Sequence, residues 1–394
     1  MTSQCSAVLP HIDNPEKPKV FVHRSRKDRI NAIFDGFLPK ATEQFATQDI
    51  GLRLFGPPCD PVALRLAAAS GNKVKKSGLA LSLKTRFLKG QFNWADHLIA
   101  QHDPDFVVVW NGIKGHRRVL AQAAMQRNVP IVYFEEAPLP GRVTVDFVGV
   151  NYGNSLPRRA DFYTAWALEK QIDLSHWRRL GAAMQPRGAA RADVAQQAAD
   201  ASLSSENFIF CPLQVPGDSQ ISIYGKWISS VEHMIDVLSE ASKSLPDGWH
   251  LRIKEHPSAR VSFGDKLTTL TTDKFRVDNV TNTFEQVAAS KAVINVNSSV
   301  GLQSFFFDKP VLVLGHAFYA FDGTATEVSS VAELGQLLCA PEDLGYNAQT
   351  RDGLMSYLDH SYLPDEQAVK NGEYTLQDMI ARDRDRDRIL ASLG

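Results

Sequence analysis

The sequence WHLRIKEHPSAR (249–260) joins an apolar run to an abrupt polar end. Its first half predicts a short buried strand. The polar sequence KEHP (254–257) follows directly. This change is typical of a strand in an open α/β sheet, which presents polar groups at its carboxyl end. Pro257 cannot continue a strand ladder and fixes its own backbone angle, so it predicts a rigid turn that holds His256. We interpret Lys254, His256 and Pro257 as candidate ligand-binding residues.

A second strand with a polar end follows in the sequence INVNSSVG (294–301). Its apolar residues predict a strand, and the asparagine, serines and glycine after it predict the start of a helix. Helix N-termini bind phosphate, so this segment and His256 together predict an anion site at the edge of one sheet. The structural alternatives are a helix cap for the serines and a backbone hydrogen bond for the histidine. The candidate residues here are Asn297, Ser298, Ser299 and Gly301.

The composition limits the classes of function. The chain has 394 residues, of which 44% are hydrophobic and 22% charged, and this suits two globular domains. Its net charge of −1 gives no basic field, so we expect no nucleic-acid partner. The cysteines lack CxxC spacing, and there is neither a signal-peptide pattern nor an apolar run of ~18 residues. These features predict a cytoplasmic protein with peripheral membrane contact at most.

Two series of alternating strands and helices predict the fold class. PDFVVVWNG (104–112) and VPIVYFEE (129–136) are strand patterns on either side of a helical pattern, as in a parallel βαβ unit. Neither series contains GxGxxG or GxxxxGK[ST], which disfavours dinucleotide and P-loop NTPase functions. We predict an α/β protein with two Rossmann-like domains, in the GT-B-type architecture of nucleotide-sugar glycosyltransferases. The expected divisions are an acceptor domain (1–165), a helical linker (166–205), a nucleotide-sugar donor domain (206–325) and a helical C-terminal tail (326–394) with alternating charges on a solvated face.

Polar residues at further strand ends extend the candidate site. Glu135 and Glu136 end an apolar strand, and two adjacent carboxylates favour a raised pKa for one of them and a role as acid, base or nucleophile. An exposed, solvated strand end is the structural alternative. The loop PLQVPGDSQ (212–220) and the long loop 137–163 carry polar groups suited to a sugar or a base. Those we single out are Gln214, Asp218, Ser219 and Asn151.

No pattern predicts a metal site. The DxD pairs lie at the wrong end of a strand (Asp103 and Asp105) and in the tail (383–387), where arginines alternate with the aspartates. We therefore predict neither a metal ion nor another cofactor. From Lys73 to Lys89, basic residues alternate with apolar ones. This basic stretch is a lipid-binding surface, a site for an acidic acceptor or a solvated helix face.

Four segments resemble, in their order and spacing, the capsular polysaccharide biosynthesis family, which includes the KpsS- and KpsC-type β-Kdo transferases. They are FEEAPLPGRVTVDFVGVNYG, PLQVPGDSQI, LRIKEHP and INVNSSVG, and the resemblance covers residues 104–325. It implies a two-lobed glycosyltransferase fold, a CMP-Kdo donor and a lipid or glycolipid acceptor at the cytoplasmic face of the inner membrane.

The resemblance also implies roles for single residues. Glu135 matches the acidic residue after the apolar strand and is the expected catalytic carboxylate. Ala137 and Pro138 follow the acidic pair where many relatives have glycine, which keeps Glu136 as the alternative. His256 is expected to bind the CMP phosphate. Its expected partners around the donor are Ser298, Ser299, Gln214 and Asp218.

The sequence thus predicts a metal-independent glycosyltransferase of capsular or surface polysaccharide biosynthesis that transfers Kdo from CMP-Kdo. A nucleoside monophosphate leaving group carries less charge than a diphosphate, so a histidine and helix N–H groups can take the place of a cation. Two alternatives remain open. One is a UDP-sugar transferase or epimerase of the same architecture, and the other is a non-catalytic glycan-binding protein of polysaccharide export.

Overall fold

The computed structural model describes Ile12 and residues 15–70 and 78–394. Contacts divide this part of the chain into two compact units, each with one largely parallel sheet covered by helices. The predicted α/β class and the two Rossmann-like domains of a GT-B-type protein are therefore confirmed. Unit 1 comprises the described residues up to Pro157 with Ala165–Gln171 and Ser356–Gly394, and unit 2 comprises Arg158–Thr164 and Ile172–Met355.

The sheet of unit 1 has five strands in the order β2-β1-β3-β4-β5. The first four strands run parallel, and β5 is antiparallel to β4. The chain passes from β1 to β2 on one side and then to β3 on the other, so the winding reverses between β1 and β3. Open α/β sheets bind ligands at such a point. The strands are β1 (Lys19–His23), β2 (Glu43–Thr47), β3 (Phe106–Trp110), β4 (Ile131–Glu136) and β5 (Val143–Asp146).

The sheet of unit 2 has six parallel strands in the order β11-β10-β9-β6-β7-β8. Counted from β6, this is the order 3-2-1-4-5-6 of the Rossmann fold, and its winding reverses between β6 and β9. The central strands are buried on both faces, as helix-covered parallel sheets are. The strands are β6 (Asn207–Pro212), β7 (Trp249–Lys254), β8 (Phe275–Val277), β9 (Ala292–Asn295), β10 (Val311–Val313) and β11 (Thr326–Glu327).

Helices cover both sheets because each presents an apolar stripe to the strands. The first helix buries Ile30, Ile33, Phe34 and Phe37, whose spacing places them on one face. In chain order the α-helices are α1 (Asp28–Phe37), α2 (Pro61–Ser70), α3 (Gly78–His102), α4 (Gly115–Gln126), α5 (Ala160–Lys170), α6 (Ser219–Tyr224), α7 (Val231–Ser242), α8 (Gly264–Leu270), α9 (Thr283–Ala289), α10 (Ser299–Gln303), α11 (Val331–Leu338), α12 (Ala348–Tyr357), α13 (Glu366–Lys370) and α14 (Leu376–Ser392). Short 3₁₀ turns occupy Asn151–Gly153, His176–Ala183, Ala201–Ser205, Ser304–Phe307 and Pro341–Asp343, and a π turn occupies Leu358–Tyr362.

The unit boundaries differ from the predicted divisions. The expected linker is not separate, because residues from Ile172 onward belong to unit 2. The expected tail is shared: its first part, to Met355, belongs to unit 2, and the part from Ser356 belongs to unit 1. The reason is apolar packing, since Val369 and Leu376 lie in the same core as the strands of unit 1.

The charges of α14 are also partly buried, contrary to the predicted solvated face. Arg382 and Asp383 are paired through Nε and Oδ1 at 2.8 Å and are almost inaccessible to solvent. The Arg382 guanidinium also donates to the carbonyl oxygens of Val145 and Tyr362. The charge of Asp383 and these two carbonyl acceptors compensate part of the cost of burying the guanidinium, whose Nη2 has no partner among the described residues.

Candidate functional site

Lys254 has a structural role at the end of β7. Its ammonium group is buried and donates to the backbone carbonyls of Ala195 (2.9 Å), Asn279 (3.0 Å) and Thr281 (2.8 Å). Burial lowers its pKa to about 8. Because an ammonium group has three donors and all are used, Lys254 ties the end of β7 to neighbouring segments. The hydrogen bonds thus assign Lys254 a structural role, and the ligand contact expected from the sequence stays a prediction.

The turn that follows Lys254 is clamped from two sides. Glu255 is 1% exposed, is ion-paired with Arg191 and accepts a hydrogen bond from the N–H of Phe263 at 2.8 Å. The carbonyl of Pro257 accepts from the N–H of Ala190 at 2.8 Å. Pro257 therefore contributes its backbone carbonyl to holding the turn. This hydrogen bond and the contacts of Glu255 fix the turn that the sequence predicts.

His256 emerges from this turn as a neutral hydrogen-bond donor. The N–H of Ser258 donates to its Nδ1 at 3.0 Å, so the ring proton resides on Nε2. Burial lowers the pKa of His256 to about 4; Arg187 contributes in the same direction, and Asp218 opposes it. The imidazole is thus uncharged at neutral pH. The structure brings together His256, Asp218 and Arg187, of which the sequence predicted the first two.

Arg187 was missed because no motif marks it. It lies in the segment predicted to be a helical linker, but the structure gives that segment little helix after Ala183. Hydrogen bonds from the N–H groups of Ala190 and Ala195 to the carbonyls of Pro257 and Asn279 lay this segment along the carboxyl end of β7. Such long-range backbone contacts have no signature in the local sequence.

Gln214 and Asn297 hydrogen-bond to each other where the winding of the sheet reverses, between β6 and β9. The Gln214 Nε2 donates to Asn297 Oδ1 at 3.0 Å, and the Asn297 N–H donates back to Gln214 Oε1 at 3.2 Å. The Asn297 Nδ2 also donates to the carbonyls of Gln220 and Tyr224. Both amides are buried, so the pair holds the two loops together, and the predicted contact with the donor stays a prediction.

The loop after β6 leads into α6, and Asp218 caps that helix. Its Oδ1 accepts from the N–H of Gln220 at 2.9 Å, which satisfies one of the N–H groups at the helix start. Its other carboxylate oxygen remains able to accept a hydrogen bond from a ligand. Ser219 opens α6, and its side chain lies outside the described part of the structure.

Ser298 is the N-cap residue of α10, which is the structural alternative considered for the serines in the sequence analysis. Its Oγ accepts from the N–H of Val300 at 3.2 Å, and its carbonyl accepts from the Tyr319 hydroxyl at 2.7 Å. Since α10 has five residues, its macrodipole is small. Ser298 and Ser299 are half-buried, and their hydroxyls can still donate to an anion.

Gly301 serves close packing. A Cβ at this position would lie 2.2 Å from the Tyr319 Oη and 2.4 Å from the Asn295 Nδ2. Both neighbours are buried and hydrogen-bonded to each other at 3.0 Å. The glycine therefore has a structural role in packing, and its predicted ligand contact stays a prediction.

We expect Gly301→Ala to destabilise the protein by about 1–3 kcal/mol because the added methyl group overlaps this buried pair. Thermal unfolding measured by circular dichroism checks the effect. Gly188→Ala is the matched control, since a Cβ there has nothing within 4 Å. Equal unfolding temperatures for the two variants would contradict the packing role.

Glu135 and Glu136, at the carboxyl end of β4 in unit 1, have different environments. Glu135 is half-buried, and its carboxylate accepts hydrogen bonds from the Asn111 Nδ2 and, at 3.0 Å, from the N–H of Glu136. Burial raises its pKa, while the hydrogen bond from Asn111 and the charge of Lys114 lower it in part. Glu136 is exposed. Of the pair, Glu135 is the carboxyl group whose environment suits acid–base or nucleophilic chemistry.

Asn151 lies in the long loop after β5 and starts a 3₁₀ turn with a φ of 57°. Its Nδ2 is buried and has no hydrogen-bond partner among the described residues, so this amide can still donate to a ligand. The loop itself is held by Asp146, which is fully buried and accepts from Ser155 and the Tyr362 hydroxyl. Asp146 is therefore an anchor for the loop.

Residues 12, 15–70 and 78–394 contain neither a cluster of metal-ligating side chains nor a helix that could span a membrane. No group of three or more histidine, cysteine or acidic side chains there could hold a metal ion. In the same ranges, no helix is long and apolar enough to cross a bilayer. The predicted independence of metal ions and cofactors stays a prediction.

The fold and the candidate site define an α/β protein with two Rossmann-like domains, as in the GT-B type. Unit 2 has the strand order of nucleotide-binding Rossmann folds. Residues 167–336 match the family described as capsule polysaccharide biosynthesis protein. The predicted resemblance to this family is confirmed over that segment. The segment contains His256 and the reversal point of unit 2, whereas Glu135 lies outside it.

Individual proteins are also similar to parts of this chain. FixF of Sinorhizobium fredii is 29% identical over 265 residues, which are 65% of this chain and 60% of FixF, so the chain spans less than two thirds of that relative. The capsule polysaccharide export protein KpsS of Escherichia coli is 24% identical over 279 residues, covering 58% of this chain and 72% of KpsS. Among solved structures, the β-Kdo 2,7 transferase KpsC of Thermosulfurimonas dismutans is similar with a TM-score of 0.42 and 15% identity, over 71% of this chain and 88% of that one.

Proposed function

We propose that the protein is a glycosyltransferase of capsular or surface polysaccharide biosynthesis that transfers Kdo from CMP-Kdo to a lipid or glycolipid acceptor at the cytoplasmic face of the membrane. One observation carries the proposal: a neutral His256, whose Nδ1 accepts from Ser258 so that Nε2 holds the proton, lies within charge-interaction range of Arg187 in the segment that matches a capsule biosynthesis family. This pair supplies a donor and a charge for the phosphate of a departing nucleotide.

The chemistry assigned to unit 2 is binding of the leaving group. As CMP departs, charge grows on its phosphate, and a preorganised N–H donor stabilises that charge more than it stabilises the bound donor. The KEHP turn preorganises His256, because the hydrogen bond from Ser258 fixes the tautomer and Glu255 holds the loop. Arg187 adds a positive charge. We propose that these groups act without a metal ion or other cofactor.

The chemistry assigned to unit 1 is stabilisation of the sugar. Departure of CMP from a ketosidic donor leaves an oxocarbenium-like centre, which a carboxylate can stabilise or trap as a covalent intermediate. We assign this role to Glu135. Its raised pKa also suits it to exchange a proton with the acceptor hydroxyl.

Nucleotide preference tests the proposal against its two alternatives. A ligand present at 100 times its Kd stabilises the folded protein by about 2.7 kcal/mol, so CMP is expected to raise the unfolding temperature, whereas UDP at the same concentration is not. Release of CMP from CMP-Kdo in the presence of a lipid acceptor then shows transfer. Stabilisation by UDP alone would favour the UDP-sugar alternative, and binding of polysaccharide without any nucleotide effect would favour the glycan-binding one.

Exposed apolar residues of unit 1 support contact with a membrane. The segment from Ile50 to Phe55 is tied to α3 through the side chains of Gln91 and Asn93. On α3 itself, exposed apolar residues recur every four positions, which places them on one face. Exposed Arg53, Arg65 and Arg86 accompany the apolar surface, while the first lysines of the predicted basic stretch, at 73–76, lie outside the described residues. The apolar residues are Leu52, Leu54, Phe55, Val62, Leu66, Leu79, Leu83 and Phe87.

Replacing Leu54 and Phe55 by serine is expected to weaken binding to vesicles that contain an anionic phospholipid. The two side chains are 89% and 82% exposed, so their loss removes apolar contact with lipid while leaving the fold intact. Co-sedimentation with the vesicles measures the effect. Leu168→Ser, which removes a leucine that is 75% exposed on α5, is the matched control. Unchanged sedimentation of the double variant would remove the membrane-contact proposal.

A further inference from the structure

His23, the last residue of β1, is a buried histidine that the proposed chemistry does not use. It is 3% exposed, and neither of its ring nitrogens has a hydrogen-bond partner in the described part of the chain. Buried polar groups are almost always hydrogen-bonded, so an imidazole left without partners at the end of a strand indicates a missing ligand or an ordered solvent molecule.

The position of His23 in the fold favours a ligand. Unit 1 has the strand order 2-1-3-4-5, and its winding reverses between β1 and β3. In open α/β sheets of this order, ligands bind beyond the carboxyl ends of these two strands. His23 ends β1, and α4 begins with Gly115 shortly after the end of β3. The orphaned histidine and the start of α4 thus lie at the expected binding point of the sheet.

The groups around His23 are suited to an anion. The ring of His116 lies 5.6 Å from that of His23, measured between centroids. The Nε of Arg117 is buried and, like the nitrogens of His23, lacks a partner among the described residues. Burial, together with the neighbouring His116 and Arg117, lowers the pKa of His23 to about 4. Asp49, which is ion-paired with Arg26, opposes this effect.

The start of α4 adds backbone donors. This helix has twelve residues, and its N-cap residue Lys114 makes no side-chain cap hydrogen bond. The first N–H groups of an α-helix have no partner within the helix, and they carry the positive end of its dipole. Uncapped, they face the same edge of the sheet as His23 and are available to an oxyanion.

We propose that His23, His116, Arg117 and the first turn of α4 form a binding site for an oxyanion, that is, a carboxylate or phosphate group of a substrate. Arg117 is also close enough to Glu135 to interact with its charge. This extension rests on the proposed function: the group bound here lies near the carbon that Glu135 attacks or stabilises. A sugar acid carries its carboxylate on that carbon, and a lipid acceptor can carry a phosphate near its nucleophilic hydroxyl.

Binding of inorganic phosphate to the full-length protein tests the site without relying on turnover. Phosphate is titrated while the ring signals of His23 and His116 are followed by NMR, with assignments from His23→Gln and His116→Gln. Both signals are expected to shift in a saturable way. In Arg117→Met, the affinity reported by these signals is expected to fall about 10- to 100-fold, as for loss of a charge-assisted hydrogen bond. Arg118→Met, which removes the next charge on the same helix, is the control and is expected to keep the affinity.

Signals of both histidines that stay unchanged in wild-type protein at saturating phosphate would overturn the site. Equal affinities in Arg117→Met and Arg118→Met would do the same. If Arg117→Met does not fold, Arg117→Lys replaces it: lysine keeps the charge and loses the Nε–H donor, so a loss of about 10-fold is expected.

Steady-state kinetics then distinguish the two sources of the oxyanion. An increased KM for CMP-Kdo in Arg117→Met, with KM for the lipid acceptor unchanged, identifies the sugar carboxylate; the opposite pattern identifies an acceptor phosphate. Phosphate binding to these residues in a protein that transfers no Kdo would keep the site while refuting the proposed function. The two ideas can therefore fail separately.

Discussion

Glu135→Gln is expected to abolish sugar transfer while making the folded protein more stable. Loss of a group that acts as acid, base or nucleophile typically costs about 10²- to 10⁴-fold in rate, and glutamine can serve in none of these roles. The geometry of the site should survive, because the glutamine carbonyl can still accept the hydrogen bond that the Asn111 Nδ2 now donates to Glu135. Release of CMP from CMP-Kdo with acceptor present measures the rate.

The increase in stability follows from the raised pKa of Glu135. Its carboxyl group binds a proton more tightly in the folded than in the unfolded protein, so the ionised group costs stability at neutral pH. That cost disappears as the pH falls through the folded pKa and below the unfolded one. Glu135→Gln should therefore unfold at a higher temperature than the wild-type protein at pH 7, and the difference should shrink on acidification.

Glu136→Gln is the matched control for this prediction. Glu136 is exposed at the end of the same strand, and its substitution should leave both the rate and the unfolding temperature near wild-type values. An inactive Glu136→Gln variant together with an active Glu135→Gln variant would assign the catalytic role to Glu136 instead of Glu135. Full activity in both variants would exclude this strand end from the chemistry.

His256→Ala is expected to lower the transfer rate by about 10²- to 10³-fold, the usual cost of removing one preorganised donor at a site of developing charge. CMP should bind more weakly as well, because the phosphate loses the Nε2–H. Folding should be retained, since the Pro257 carbonyl and the Glu255 carboxylate, which anchor the turn, do not involve the imidazole. Kinetics and a CMP titration by calorimetry measure the two effects.

The pH profile adds a second readout for His256. Because burial and Arg187 keep its pKa at about 4, the unliganded imidazole stays neutral from pH 5 upward. Loss of this donor should thus lower activity by a constant factor between pH 5 and 8. His233→Ala, which removes a half-buried histidine on α7, is the control. Equal rates for His256→Ala and wild type would remove the phosphate role.

The sequence was sufficient to predict the fold class and the turn at His256. The alternating strand and helix patterns predict the fold class, and the KEHP sequence predicts the turn because an apolar run followed by charge and proline permits few conformations. The sequence could not show that Lys254 donates all its hydrogen bonds to three backbone carbonyls, because these carbonyls belong to Ala195 and to a loop after β8. The same holds for Gln214 and Asn297. Each lies after the end of a strand, as predicted, but the sequence could not show that their side-chain amides hydrogen-bond to each other.

Burial of charge was the second feature that the sequence could not show. The alternating charges of α14 are typical of a solvated helix face, yet the carbonyls of Val145 and Tyr362 provide acceptors for Arg382 in the interior. His23 ends its strand in the same way that His256 follows its own, but no proline or charged cluster marks it. The strand order, and the lack of partners for its ring among the residues that the structure describes, indicate a site there.

The most direct measurement of the central claim is the ¹⁵N NMR signal of the His256 ring during titration with CMP and, separately, with cytidine. Cytidine has the same base and sugar but no phosphate. A hydrogen bond from Nε2 to the phosphate predicts a saturable change in the His256 Nε2 signal with CMP and little change with cytidine. Binding of CMP that leaves this signal unaltered, or an equal change with cytidine, would contradict the account.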